Sequence, residues 1–135
     1  MSGIPSGSGT SVLRNAGINA NNASSAKVDF GGATGTGSVR SSANTAGVTA
    51  VPANVIITVL TITAMAHSAN GNISATVDWQ GSGTEIQIFK QLNQSIDTTF
   101  VWNDKFVLRE GDILKLYNSS TNTDWHVSFL YEDWS

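Results

Sequence analysis

The chain has 135 residues, a formal net charge of -3, no cysteine, and only 13% charged residues. That length has room for one domain, and the missing cysteines exclude disulfides and thiolate metal sites as sources of stability. Charges this sparse and net acidic also exclude the clustered Lys and Arg that nucleic-acid phosphates require.

From Met1 to Gly9 there is neither a basic n-region nor an apolar h-region, so the sequence reads as a chain made in a cytoplasm without a secretory signal. Composition then breaks near residue 50. Residues 1–50 are Gly, Ser, Ala, Asn and Thr with a single aromatic, Phe30. They show no helical or strand period, and glycine-rich chain of this kind is costly to order. Its apolar residues fall in islands: Val12 and Leu13 beside Arg14, Ile18, Val28 with Phe30, and Val39 beside Arg40. The expectation is an extended, irregular N-terminal arm whose islands anchor on neighbouring subunits. Three basic residues against one acidic make the arm mildly basic, which suits an acidic host surface.

Residues 51–135 read as one β domain with four basic residues against nine acidic. Val51-Pro52 closes the arm, because proline lacks a ladder donor. Val55 to Met65 is dense in β-branched residues and is far too short to span a bilayer, so no membrane partner is expected. Asn70-Gly71 signals a tight hairpin into Ile73–Gln80, where Ile73, Ala75, Val77 and Trp79 alternate onto one face. Gly81-Ser82-Gly83 turns the chain into Thr84–Lys90, with Ile86 and Ile88 on one face and Glu85, Gln87 and Phe89 on the other. Leu92 to Ile96 is a weak edge candidate, and Phe100 to Leu108 reads as two pieces about Asn103-Asp104. Arg109-Glu110-Gly111-Asp112 is a tight turn before Ile113–Tyr117. In the last strand Trp125, Val127, Phe129 and Tyr131 oppose His126, Ser128 and Leu130. With no convincing helix, short strands between turns predict an antiparallel β-sandwich of jelly-roll or Greek-key type.

Chemistry is scarce. Asp124 and His126 share a strand face and could pair, but a lone Asp–His couple is ordinarily structural, and neither His brings further metal ligands by local spacing. Asp104, Glu110 and Asp112 cluster at turns without calcium-loop spacing, as carboxylates that cap backbone amides do. No nucleophile elbow or phosphate loop is present, so neither enzyme activity nor a cofactor is expected. Of the four tryptophans, Trp79 and Trp125 read as core. Trp102, at a turn, and Trp134, next to last, read as exposed aromatic contacts.

The run Phe106-Val-Leu-Arg-Glu-Gly-Asp-Ile-Leu-Lys-Leu, followed by a polar loop and Val127-Ser-Phe-Leu-Tyr-Glu, resembles small tailed-phage virion proteins. There a strand ending in Leu, a Glu-Gly-Asp turn and a C-terminal strand with Ser-Tyr recur. Leu108, Glu110, Gly111, Asp112 and Ser128 match, whereas Phe129-Leu130 separates Ser128 from Tyr131. The resemblance covers residues 52–132 and implies a β-sandwich bound to a virion, as a capsid decoration (cement) protein or a tail or neck component. Its partners would be a major capsid protein or another virion protein, together with copies of itself, a trimer in preference to a dimer. The alternative is a lectin-like carbohydrate- or receptor-binding module on a tail fibre, which would use exposed tryptophan.

Overall fold

The computed structural model describes residues 9–21, 25–30, 38–41, 49–119 and 122–134, with side chains left out at 18–21, 25, 38–41 and 122. The strands are β1 (Thr10–Asn21), β2 (Ser25–Asp29), β3 (Ser38–Ser41), β4 (Val55–Ala66), β5 (Gly71–Asp78), β6 (Glu85–Gln94), β7 (Thr99–Trp102), β8 (Phe106–Leu108), β9 (Ile113–Asn118) and β10 (Asn122–Asp133). One sheet has the order β1-β10-β4, with β7 and β8 both on the far edge of β4. The other has the order β3-β2-β9-β5-β6. All pairings are antiparallel. Successive strands take matching places in the two sheets: β1 and β2, β10 and β9, β4 and β5, β7 and β6. That is the jelly-roll arrangement, and it meets the expectation of a sandwich.

The alternations read from the sequence set most of the core. Ile57, Val59, Ile62 and Ala64 of β4, Leu114 and Leu116 of β9, and Trp125, Val127 and Phe129 of β10 are buried. Their β-branched and aromatic side chains fill the space between the pleated faces. Phe30 meets Phe129 edge to face, centroids 5.2 Å apart at 87°.

The first fifty residues differ from expectation. Where described they are extended but not irregular, because they supply three strands. β1 pairs with β10 in unbroken register from Thr10 opposite Asp133 to Asn21 opposite Asn122, and β2 joins β9 through Ser25, Ala26 and Lys27. Ala16, Ala26, Val28 and Phe30 are buried in the chain's own core. The physical reason is that a strand needs a ladder for its amides and carbonyls more than it needs a pattern of its own. β10 and β9 offer such ladders.

Three local expectations are corrected. Asn70-Gly71 makes no hairpin, because β4 and β5 lie in different sheets and residues 67–70 arch between them. There Asn70 Oδ1 accepts the Ile96 amide at 2.8 Å. Trp79 leaves the core: it opens a single 3-10 turn, Trp79–Gly81, and is half exposed. In β6 the register slips between Ala75 and Thr76, which pair with Phe89 and Gln87. This bulge turns Phe89 inward and leaves Ile86 exposed. The Gly81-Ser82-Gly83 and Glu110-Gly111 turns do form, with positive φ at Gly81, Gly83 and Gly111.

Candidate functional site

The titratable groups form structural pins. Asp112 accepts the Gln80 amide at 3.0 Å and the Arg109 amide at 2.9 Å, so both of its oxygens cap backbone. Buried Asp78 accepts from the Gly83 amide at 2.9 Å and pairs with Lys115 at 3.3 Å. The Tyr117 hydroxyl donates to Glu85 Oε1 at 2.5 Å, and Thr76 donates to the same oxygen at 2.8 Å. Those two hydrogen bonds, Tyr117 first, hold the Glu85 carboxyl below its usual range. Burial, and then the bond to Glu85, push Tyr117 up to about 12.

Asp124 does pair with a histidine, but with His67 rather than the expected His126, which is exposed. His67, on the arch after β4, hydrogen-bonds Asp124 through Nε2 and places Nδ1 3.9 Å from Asp97. The Asp124 hydrogen bond holds the His67 pKa above 6.5, and the charges of Asp124 and Asp97 add to this. The cluster joins the β4–β5 arch, β10 and the β6–β7 turn. Among the described residues no three His, Cys, Asp or Glu converge as metal ligands.

What stands out is an apolar surface at the sandwich margins. On the side where β6 and β7 face each other, Phe89 packs on Phe100 and Trp102, with centroids 5.0 and 5.4 Å apart, and closes the gap between the sheets. Below that stack the sheets part into a cleft of about 260 Å³ lined by Val77, Trp79, Ile86, Ile88, Phe106–Leu108 and Asp112. Apolar walls, and an acid whose oxygens are already engaged, suit an apolar side chain better than a hydroxyl-rich sugar. Across the molecule β1 is the outermost strand of its sheet, with Val12 46% and Leu13 71% exposed.

The proposed arm anchors therefore separate. Val12 and Leu13 are on the surface. Arg14 is turned inward, with Nη1 donating to the Phe30 carbonyl at 2.7 Å and its guanidinium 3.9 Å above the Tyr131 ring. Val28 and Phe30 are fully buried and unavailable to a neighbour. Ile18, Val39 and Arg40 lie in strands, but their side chains are outside the described set. Trp102 and Trp134 are not exposed contacts. Trp102 stacks on Phe89, and Trp134 lies so close to Gly9 that a Cβ there would fall 2.5 Å from its ring. Sequence reasoning missed Trp79, Ile86, Val101 and Val107 as surface residues. Only the Gly81-Ser82-Gly83 turn after Trp79 hinted that its strand ended early.

No protein-family model matches the chain, and no curated protein matches it. Among solved structures, it is similar to a protein of Bacillus endospore appendages, described as a novel family of disulfide-linked pili. Identity is 12% and the TM-score 0.49, with 100% of this chain and 98% of the other covered. It is also similar to a chain of infectious bursal disease virus, Gx strain, at 9% identity and TM-score 0.38. There 90% of this chain is covered, but it spans only 32% of the viral one.

Proposed function

We propose that this chain is a non-enzymatic structural subunit of a virion, used in many copies, and that it decorates the outer surface of a phage head as a cement protein. The observation that carries this reading is where the exposed apolar side chains lie. They are concentrated at strand edges and the cleft, surfaces suited to protein contact, while the polar clusters serve as internal pins. Contiguous apolar surface on a small protein marks an interaction site. In this reading Val12 and Leu13 contact a neighbouring capsid protein or another copy, and the buried Val28 and Phe30 hold the strand that presents them.

The test is immunogold labelling of particles whose genome encodes the chain. Label over the head supports decoration, and label confined to the tail supports a tail or fibre component instead. Particles that carry no label at all would remove the virion reading. The lectin-like alternative rests on Trp79 at the cleft rim, and a glycan array that binds wild type but not Trp79→Ala would favour it.

A further inference from the structure

Among the described residues, every large apolar side chain exposed on the β1-β10-β4 sheet lies on its outermost strands: Val12 and Leu13 on β1, Val101 on β7 and Val107 on β8. The register ties these two edges together. Leu13 pairs with Leu130, Leu130 with Thr58, and Thr58 with Val107. Val12, Tyr131, Ile57 and Leu108 form the adjacent row, and Gly17, His126, Thr63 and Val101 form one further along. The edges also run in opposite directions, because three antiparallel steps separate β1 from β7 and β8. A second copy displaced along the sheet can therefore lay its β1 beside β8 with Leu13 opposite Val107, continuing an antiparallel ladder. The register shift at Ser128/Phe129 and the three residues between β7 and β8 take up the longer path to Val101.

We infer that copies of this chain join edge to edge, β1 of one against β7 and β8 of the next. Leu13, 71% exposed, then meets Val107, 56% exposed, on the outer face of a continuous sheet. Val12 shares the row of Leu108, so it sits over the mouth of the cleft that Leu108 lines. Gly17 leaves room beside Val101, since even a Cβ there would meet nothing closer than 3.7 Å.

Electrostatics agree. β1 carries one charge, Arg14, which is turned inward, and β7 and β8 carry none. Arg109, just past β8, comes opposite Ser11 and so near Glu132. Lys105 comes opposite Asn15 beside Arg14, whose guanidinium is engaged inward by the Phe30 carbonyl and the Tyr131 ring. Among the described residues the buried Trp102 Nε1 has no acceptor, and an incoming strand brings carbonyls to that edge. The β6 edge is defended, by two register slips and by Glu85 and Lys90. β1 has no slip and no proline. Because the two surfaces differ, the contact is heterologous and propagates copies into a ring or a filament.

The chain has no native cysteine, so cross-linking tests the register cleanly. Residues directly opposite in an antiparallel pair have Cβ atoms about 4.5–5.5 Å apart, near disulfide reach. Within one copy positions 13 and 107 are three strand spacings apart, about 14 Å, and cannot be bridged. Oxidising a mixture of Leu13→Cys and Val107→Cys chains should give predominantly 13–107 dimers, and the double-cysteine chain should give a ladder of multimers. Mostly 13–13 or 107–107 dimers would overturn the inference, as would a folded double-cysteine chain that stays uncross-linked. Both positions are exposed, so folding is not at risk. As a second measurement, Leu13→Lys should lose all species larger than a monomer in sedimentation, and Leu13→Lys with Val107→Glu should recover them. Failure to recover counts against the pairing. The inference stands on register and burial, so its failure leaves the virion reading, tested by gold labelling, untouched.

Discussion

β1 and β10 lie side by side over twelve residues each, yet they are built of different material. β10 alternates Trp125, Val127, Phe129 and Tyr131 against His126, Ser128 and Leu130. β1 is mostly Ser, Asn, Ala and Gly around Val12, Leu13 and Ile18. β10 anchors the sheet by side-chain burial. β1 is a strand because β10 presents it with an open ladder, and Ala16, fully buried, joins the core cluster. Low-complexity sequence can thus be part of a core when its partner carries the pattern. The chain beyond β1 adds Phe30, which grips Phe129 and whose carbonyl is held by Arg14.

That contrast can be broken by substitution. If the first fifty residues are integral, Phe30→Ala should destabilise by about 3–5 kcal/mol, the range for a buried phenylalanine. Phe129→Ala in the same urea titration should cost a similar amount. A Phe30 loss below about 1 kcal/mol beside a large Phe129 loss would restore a peripheral arm. Overpacking is the next probe. Ala16→Leu should cost about 1–3 kcal/mol, since Ala16 is fully buried in the core, and a neutral result would show that β1 is not pressed onto the core. In the patterned half, Gly111→Ala should cost about 1–2 kcal/mol. Gly111 has φ of 87° and its Cβ would lie 3.2 Å from the Gln80 backbone, so thermal denaturation at an unchanged midpoint would contradict the turn geometry.

The smallest effect concerns pH. His67 has its pKa raised by the Asp124 hydrogen bond, so the protonated form is the stabilised one. Its contribution is complete below the unfolded value of about 6.5 and fades as pH rises through the higher folded value. The melting temperature of His67→Gln should therefore fall below that of wild type in mild acid, with Asp124 still ionised, and match it in the alkaline range. A gap that widened with rising pH would contradict the pairing.

The sandwich was legible where side chains alternate: β4, β5, β9 and β10 were all visible, and so was the Glu110-Gly111 turn. β1, β2 and β3 were not, because their pairing is dictated by distant strands and leaves no local period. Trp79 and Phe89 exchanged environments for similar reasons. One sits on a turn that ends its strand two residues early, and the other follows a bulge whose phase shift depends on β5. The candidate surface was half legible. Val12 and Leu13 were noticed as an apolar island, but Val101 and Val107 join them only through cross-sheet register. The Asp–His pair formed with the histidine 57 positions away instead of the one two residues on, a choice made by the arch between sheets.

The most direct test of this account is to express residues 51–135 alone and follow unfolding by denaturant with tryptophan fluorescence and far-ultraviolet circular dichroism. Without β1, β2 and Phe30, the inner edges of β10 and β9 lose their ladders, and the predicted result is no cooperative transition. A truncated chain that unfolds cooperatively, within about 1 kcal/mol of the full chain, would contradict the claim that the first fifty residues belong to the domain.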